Sequence, residues 1–496
     1  MQIKDYIDSN KERFLDELYD LLRIESVSAD PKFKDSVDRA ADYLVDQFNK
    51  LNLDAVEKIK TAGHPIVYAE KIIDKSFPTI LVYGHYDVQP ADPYELWDSP
   101  PFEPVIKNEK IYARGSCDDK GQMFMHLKAY EVLKKLDKVN FNIKFMIEGE
   151  EECGSDNLEK FVSENKTKLS SDVIVISDTS IINNETPSIT VGLRGLSYME
   201  VELTGPNRDL HSGTYGGAVN NPINELCKII SSLKNPDGTI NIPGFYDNVL
   251  DHSEESREKI NSAPFDISHF RSHIEIGEEY GEQGFSTTER IGIRPTLDVN
   301  GIWGGYTGEG SKTVLPSKAF AKISMRLVPN QNSKDITKLF SDHLKSICPI
   351  SCSIKVTEHH GGEPVVVDTN TKGYKAAFDA FKEVWNKEPI PTYDGGSIPI
   401  VSHFKKELGR DSILMGFGLD EDAIHSPNES FGLYNFYMGI ETITSFYQNF
   451  SKKQWLKKLY YSSFFLVYYF HPILKYLSQY LGSLKLIAAI ILILKS

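Results

Sequence analysis

Thr79-Ile80-Leu81-Val82-Tyr83-Gly84-His85-Tyr86-Asp87 is a short apolar run that ends in polar residues. Its apolar and β-branched side chains predict a buried β-strand. His85 falls where that strand ends, and Asp87 follows two residues later. An imidazole that binds a metal usually needs its other ring N–H held by a carboxylate or a carbonyl. One such pair is also common in ordinary polar loops, so this motif alone leaves both interpretations open.

Two more apolar runs lead into acidic residues in the same way. The run from Asn142 to Ile147 predicts a strand that continues into a cluster of glutamates. The run from Asp172 to Ser177 predicts another strand, which is followed by Asp178. In an open α/β sheet, ligands bind beyond the carboxyl ends of the strands. The pattern therefore predicts an α/β fold with a binding site at that edge of the sheet.

Polar loops supply two further candidates for this site. Asp118 lies in the segment Arg114 to Gly121, just before a helical pattern that spans Gln122 to Leu136. His425 lies far away in the polar segment Asp422 to Ser426. A set that mixes imidazoles with carboxylates suits zinc or manganese rather than a thiolate site.

The acidic run Glu150-Glu151-Glu152 has two interpretations. Three adjacent glutamates are usually a solvated turn, but these directly follow an apolar strand. We therefore expect them to point into the crevice at the end of the sheet, with Ser155 capping the next helix. Two neighbouring carboxylates would then divide the work, one binding metal and the other moving protons.

These residues belong to a series of motifs that appear in order from about residue 8 to residue 448. The series resembles the co-catalytic dizinc metallopeptidases, a family that includes carnosinase, cytosolic non-specific dipeptidase, glutamate carboxypeptidase, acetylornithine deacetylase and succinyl-diaminopimelate desuccinylase. The dipeptidase branch is the most similar, although Cys117 stands where a Thr is usual. The motifs that carry the resemblance are Gly84 to Pro90, Trp97-Asp98 with Pro101-Phe102, Arg114 to Gly121, Asp209 to Gly213 with Tyr215 to Gly217, Arg326 to Asn330, and Gly395 to Pro399.

The resemblance implies a centre of two divalent metal ions, with zinc expected and manganese as the alternative. Asp118 would bridge both ions. One metal site would be completed by His85 and Asp178, and the other by Glu152 and His425.

The resemblance also implies roles for residues around the metals. Asp87 would clamp His85, and Glu151 would be the general acid and base. His211 would reach across a homodimer to polarise the scissile carbonyl. The pocket for the free carboxylate of the substrate would consist of Arg326, Thr313, His360 and Ser397.

The reaction that follows from this resemblance is hydrolysis of the peptide bond in dipeptides or short peptides with a free C-terminal carboxylate. A hydroxide shared by the two metals would be the nucleophile. Two alternatives remain open. The first is an N-acyl-amino-acid deacylase or a carboxypeptidase of the same family. The second is a peptide-binding protein that lost the reaction, and the intact set of ligands argues against it.

The length of 496 residues predicts more than one domain. Two β-α-β passes between about residues 190 and 385 predict a ferredoxin-like α+β insertion. By resemblance, this insertion is a lid and dimerisation domain within a mostly parallel-sheet catalytic domain that has helices on both faces. The expected divisions are 1–190 and 386–449 for the two parts of the catalytic domain, 191–385 for the lid, and 450–496 for a tail outside the resemblance.

Charge and cysteine content limit the partners and the compartment. The formal net charge of −15 argues against nucleic-acid binding, because phosphate contacts require a basic surface. The N-terminus has no apolar signal-peptide core, and the five cysteines lack metal-binding spacing. These features predict a cytoplasmic protein.

The tail from Ser451 to Ser496 contains seven Lys and no Asp or Glu. Its uncharged, aromatic-rich run from Leu459 to Leu474 is shorter than the roughly 20 residues that a membrane-spanning helix needs. The run from Tyr476 to Leu494 is long enough, but Lys485 lies in its middle. The composition is typical of a segment that lies on a membrane surface. An extra helix packed on the protein and an uninformative extension are the alternatives.

Overall fold

The computed structural model describes residues 2–396 and 398–452, and for His360 it describes the backbone alone. The strands in chain order are β1 (Ala55–Ile59), β2 (Ile66–Lys71), β3 (Thr79–His85), β4 (Val105–Lys107), β5 (Lys110–Tyr112), β6 (Asn142–Glu148), β7 (Val173–Ile176), β8 (Ser188–Leu193), β9 (Gly195–Thr204), β10 (Leu210–His211), β11 (Thr296–Gly304), β12 (Val314–Leu315), β13 (Lys318–Leu327), β14 (Ser353–Gly362), β15 (Val365–Val366), β16 (Ile390–Asp394), β17 (Ser412–Leu414) and β18 (Ser430–Gly432).

The α-helices lie between these strands and at both ends of the described chain. They are α1 (Ile3–Ser9), α2 (Lys11–Leu22), α3 (Lys34–Lys50), α4 (Lys120–Lys135), α5 (Leu158–Glu164), α6 (Ser212–Tyr215), α7 (Pro222–Ser232), α8 (Glu254–Asn261), α9 (Ile267–His273), α10 (Thr287–Gly292), α11 (Ser333–Ile347), α12 (Lys372–Trp385), α13 (Pro399–Leu408) and α14 (433–452).

The largest sheet has nine strands in the order β1-β2-β6-β3-β7-β17-β8-β15, with β16 beside β8. Its central strands β6, β3, β7 and β17 run parallel to one another. Apolar side chains of alternating residues form one core on each face, so helices cover both sides. The predicted α/β fold is confirmed, with a parallel centre inside a mixed sheet whose outer strands β1, β2 and β15 pair antiparallel.

Helix α4 explains why the end of β3 is buried. Its side chains from Lys120 to Leu133 are buried, because it packs between β3 on one side and α1 and α2 on the other. The buried Lys120 ammonium donates to the carbonyl oxygens of Leu21 and Ile24, which satisfies its polar group within the core. This packing holds the loop before α4 against the carboxyl end of β3.

A second sheet has the antiparallel order β11-β13-β9-β14, with α7 and α11 packed on it. It encloses a separate apolar core that includes Val201, Leu226, Ile323 and Phe340. The β-α-β-β-α-β order and this strand arrangement confirm the ferredoxin-like insertion. The excursion over residues 239–300 carries α8, α9 and α10, and α8 and α10 contact β16 of the large sheet.

The chain returns to the large sheet soon after β14. Strand β15 pairs with β8, and Tyr374, Ala377 and Phe381 of α12 pack into the core of that sheet. The expected tail lies outside the described residues from 453 onward, as does the proposed membrane contact. Among residues 2–396 and 398–452, no helix is both long enough and apolar enough to cross a bilayer.

Candidate metal centre

Two groups of metal-binding side chains share one carboxylate. His85, Asp118 and Asp178 form the first group, and Asp118, Glu152 and His425 form the second. Within each group the potential ligand atoms lie within 4.8 Å of one another. The two oxygens of Asp118 face different histidines: Oδ1 is 3.1 Å from His85 Nε2, and Oδ2 is 2.9 Å from His425 Nε2.

The parallel strands bring these residues together. His85 is the last residue of β3, Asp178 follows β7, and Glu152 lies in a short 3₁₀ helix after β6. Asp118 precedes α4, and His425 follows a 3₁₀ turn at residues 420–422. Because β6, β3 and β7 are adjacent and parallel, their carboxyl ends meet at one edge, as the sequence predicted.

The charges of this centre fit divalent cations. Its two imidazoles are outnumbered by carboxylates that are buried or nearly buried, and burying unpaired negative charge is costly. His85 Nε2 lies 4.0 Å from Asp178 Oδ1, and His425 Nε2 lies 3.3 Å from Glu152 Oε2. Imidazole nitrogens and carboxylate oxygens at these separations are suitable ligands for two metal ions of the zinc or manganese type.

Proton affinities in the centre reflect the same crowding. Burial, reinforced by the carboxylates of Glu152 and Asp118, raises the pKa of Glu151 to about 7 although His85 opposes the change. Hydrogen bonds to Asp118 and Glu152 raise the pKa of His425 to about 10. Burial lowers the pKa of His85, but Asp118 and Asp87 more than offset it, so the net pKa is well above its ordinary value. The pKa values of Glu151, His425 and His85 are all raised, because so many buried carboxylates lie close together.

Asp87 connects both halves of the centre. Its backbone oxygen lies 3.1 Å from His85 Nδ1, and its Oδ1 lies 3.4 Å from the same nitrogen. Its carboxylate also accepts hydrogen bonds from the backbone N–H groups of Glu151 and Glu152, at 3.3 and 3.0 Å. Asp87 therefore orients an imidazole of one group and the glutamate turn that serves the other.

Replacing Asp87 with Asn is expected to weaken metal binding by about 10- to 100-fold, the usual loss when a partner of a metal ligand is removed. The amide would keep one acceptor oxygen but would lose the negative charge that holds the His85 ring and the glutamate turn. Competition with a chelating dye measures the change. Asp342→Asn, on the exposed surface of α11, is the control. Equal zinc affinity in wild type and Asp87→Asn would contradict this role.

The three glutamates after β6 point in different directions. Glu152 joins the second group, where its Oε2 also accepts from Gln89 Nε2 at 2.8 Å. Glu150 turns away, and its carboxylate accepts two hydrogen bonds from Asn157 Nδ2 at 2.9 and 3.1 Å. The predicted helix cap at Ser155 is wrong, because α5 begins after Asn157 and Ser155 Oγ donates to Glu148 instead.

Glu429 supports the centre and was not found from the sequence. Its fully buried carboxylate accepts from the backbone N–H groups of Gly115, Cys117 and Asp118 at 3.0 to 3.1 Å. It also pairs with the buried guanidinium of Arg114, whose Nη1 is 2.6 Å from Glu429 Oε2. Glu429 thus holds the loop that presents Asp118. The sequence offered no signal beyond a charged residue in a polar segment.

A buried hydrogen-bond chain behind Asp178 was also missed. His126 Nε2 lies 2.8 Å from Ser177 Oγ, and its Nδ1 lies 2.9 Å from Tyr447 Oη. Ser177 Oγ donates to the backbone oxygen of Met415 at 2.6 Å, so His126 donates to Ser177 and accepts from Tyr447. Burial lowers the pKa of His126 to about 3, so its ring is neutral. The chain holds the strand end next to Asp178.

The remaining predicted residues that the structure describes lie on strands of the insertion or directly beside them. His211 and Thr313 are exposed neighbours, since the N–H of Ser212 donates to the oxygen of Thr313 at 3.1 Å. Arg326 is half-buried on β13. The backbone of His360 lies in β14 opposite Tyr198, whereas its side chain and Ser397 are outside the described part of the chain.

Comparison with known proteins agrees with this geometry. The sequence profile of peptidase family M20/M25/M40 matches residues 81–449, which include the residues of both groups. This chain belongs to that family. The M20 chain is 33% identical to the Cys-Gly metallodipeptidase of Candida albicans over 469 residues, which cover 90% of this chain and 96% of that protein.

Solved structures of other M20 peptidases share the fold. Human carnosine dipeptidase 1 is 30% identical with a TM-score of 0.80, over 91% of this chain and 98% of that chain. A metallo-carboxypeptidase from Sulfolobus solfataricus is 35% identical with a TM-score of 0.81, over 88% and 99% of the two chains. This M20 chain is therefore a metallopeptidase by family, and the family implies divalent metal ions.

Proposed function

We propose that this metallopeptidase hydrolyses the peptide bond of dipeptides or short peptides that carry a free C-terminal carboxylate. The observation that carries the proposal is the pair of metal-binding groups that share Asp118, with Glu151 next to one of their ligands. The similarity to a Cys-Gly metallodipeptidase and to carnosine dipeptidase supports the substrate class. Zinc is the expected metal and manganese the alternative, because both accept imidazole and carboxylate ligands.

In this proposal, His85, Asp118, Asp178, Glu152 and His425 hold two divalent ions. Bound metals would supply Lewis-acid polarisation of the scissile carbonyl and of the attacking water. The Glu151 carboxylate would accept a proton from that water and return it to the nitrogen of the leaving amine. Its backbone N–H is held by Asp87, which limits the directions that its side chain can take.

The carboxylate pocket is proposed around Arg326, together with Thr313, His360 and Ser397. A guanidinium binds a carboxylate through two parallel hydrogen bonds, which suits recognition of a free C-terminus. Burial lowers the pKa of Arg326, although Asp394 and Asp298 oppose the change, so carboxylates lie within electrostatic reach of this guanidinium. A substrate carboxylate would therefore bind where positive charge is already partly desolvated.

We propose that the protein is a homodimer formed through the second sheet, with His211 reaching the site of the other subunit. His211 and Thr313 are exposed in the described chain, which suits contact with a partner. Strand β11 is at the edge of its sheet, and its side chains Val299, Ile302 and Trp303 are each more than 40% exposed. Exposed apolar residues on an edge strand are typical of a surface that pairs with another chain.

A cytoplasmic location and a lid role for the insertion are also proposed. All five cysteines are free, which fits a reducing compartment.

For the lid we propose an end before β15 and not at residue 385, because β15 and α12 pack with the large sheet.

A substrate panel tests the proposal. Protein loaded with zinc or with manganese would be assayed on a dipeptide library, on N-acetyl and N-succinyl amino acids, and on longer peptides. We expect the largest kcat/KM values among dipeptides. The similarity to a metallo-carboxypeptidase makes release of single residues from longer peptides the second candidate. Preference for N-acyl amino acids would replace dipeptidase with deacylase, and no turnover of any amide would favour the peptide-binding alternative.

Replacing Arg326 with Met is expected to lower kcat/KM for dipeptides by about 10- to 100-fold, because one charged hydrogen-bonding partner of the substrate is removed. The loss should be much smaller for the same dipeptide with a C-terminal amide. Lys322→Met provides a matched control, since Lys322 lies on the same strand and the same face of it. Equal losses for acid and amide substrates would show that Arg326 does not recognise the carboxylate.

A further inference from the structure

Arg194 occupies the point where the chain passes between the two sheets. Strand β8 of the large sheet ends at Leu193, and β9 of the second sheet begins at Gly195. The returning chain passes beside it, since a Cβ on Gly195 would lie 2.5 Å from the backbone oxygen of Gly362. Residue 194 therefore lies where the chain enters the second sheet, next to the segment by which it leaves that sheet after β14.

The guanidinium of Arg194 joins segments that are distant in sequence. Its Nε donates to the backbone oxygen of Gly395 at 3.1 Å, in the turn that follows β16. Its Nη1 lies 3.4 Å from the oxygen of Arg290 in α10 and 3.5 Å from the oxygen of Arg294 just after that helix. Its backbone N–H donates to the oxygen of Asp394 at 3.3 Å. One side chain thus links the excursion to the turn that leads to Ser397.

Gly395 is shaped around this contact. A Cβ added there would lie 2.8 Å from Arg194 Nη2 and 3.0 Å from Ile291 Cγ2, closer than real Cβ atoms normally approach. A side chain at this position would therefore displace the guanidinium or Ile291, and glycine lets the turn lie close to both. The close packing shows that Arg194 and the turn form one fitted unit.

Arg194 and Arg326 also act on the same electrostatic environment. Burial, together with the positive charge of Arg326, lowers the pKa of Arg194 to about 10, although Asp394 and Asp298 oppose the change. The same two aspartates face Arg326. Strand pairing supports this proximity, since Arg326 of β13 lies opposite Leu196 of β9, two residues after Arg194.

We propose that Arg194 is a positioning residue for recognition of the substrate carboxylate. It holds the 394–396 turn and α10 in place beside Arg326, and so it makes carboxylate recognition depend on the excursion at 239–300. This inference rests on the proposed function. Only an arginine has the planar set of donors that can serve the turn and the end of α10 together, so a lysine cannot replace it.

A double-mutant cycle on the full chain with metal bound tests this role. The variants are Arg194→Met, Arg326→Met and the double variant, and the readout is kcat/KM for a dipeptide that the wild type hydrolyses. Arg194→Met is expected to lose about 10- to 100-fold. The double variant should lose little more than Arg326→Met alone, because a positioning residue has no effect once its target is gone. Independent, multiplying losses would overturn the proposal.

Three further variants separate positioning from general stability. Arg194→Lys should resemble Arg194→Met, and retention of half or more of the wild-type kcat/KM by Arg194→Lys would overturn the proposal. Gly395→Ala keeps the guanidinium of Arg194 but displaces it. This variant should raise KM with little change in kcat or metal content. Arg271→Met removes another arginine of the excursion, one that pairs with Glu279, and should leave kcat/KM unchanged within about twofold.

The dipeptidase activity and the role of Arg194 are tested by different results. If the wild type hydrolyses no dipeptide, the proposed function is wrong and this inference falls with it. If the wild type is active but Arg194→Met keeps its kcat/KM for dipeptides, only the role of Arg194 is wrong.

Discussion

Glu151→Gln should reduce kcat for dipeptides by about 10²- to 10⁴-fold while both metal ions remain bound, the range expected when a general acid and base is removed. The amide matches the carboxylate in shape but cannot take up a proton from water or return one to the leaving amine. The side chain is not one of the grouped metal ligands, so metal content should not change. Steady-state kinetics with metal analysis of the same sample provide the measurement.

Glu150→Gln is the matched control, because Glu150 is the preceding residue and its carboxylate is hydrogen-bonded to Asn157 instead. We expect its kcat to stay within about threefold of wild type. If Glu151→Gln kept a tenth or more of the wild-type kcat with full metal content, another group would have to move the proton. A loss of metal together with activity would mean that Glu151 is a ligand.

Among the substitutions proposed for this protein, removal of the Glu429 carboxylate should lower the free energy of unfolding most. Glu429→Ala would leave the buried Arg114 guanidinium without its counter-charge, a change that typically costs about 3–5 kcal/mol. The backbone N–H groups of Gly115, Cys117 and Asp118 would lose their acceptor as well. Urea unfolding of the metal-bound protein should show this loss, and metal affinity should fall because the loop that carries Asp118 is released.

Asp342→Ala serves as the comparison, since it breaks an exposed i,i+4 pair with Lys338 on α11. Its unfolding midpoint should not change measurably, because such surface pairs contribute little. A loss below about 1 kcal/mol for Glu429→Ala would mean that Arg114 finds another partner or water.

The main strands and part of the two candidate ligand groups could be predicted because they depend on local pattern. The apolar runs of β3, β6 and β7 are too short for helices and are buried, so each predicts a strand whose end carries His85, a glutamate turn or Asp178. Parallel strands need crossover connections, which bring their carboxyl ends to one edge. The motif resemblance added Asp118 and His425, which no strand pattern could place.

The supporting residues could not be predicted because their roles arise from distant backbone groups. Glu429 matters because three N–H groups of residues 115–118 converge on it, more than 300 residues earlier in the chain. Arg194 matters because α10 and the 394–396 turn both reach it. Neither side chain stands out in the sequence, where each is one charged residue among others.

By itself, the sequence determined the α/β architecture, the ferredoxin-like insertion and the side chains that are candidates to hold metal, because hydrophobic period and side-chain chemistry are properties of the chain. Only the tertiary structure decided that Glu150 turns away from the two groups and that Glu429 holds the loop of Asp118. A side chain in a turn takes its direction from backbone dihedrals and from the neighbours that packing supplies. The N–H groups that donate to Glu429 lie more than 300 residues earlier in the chain, so no local pattern can specify this contact.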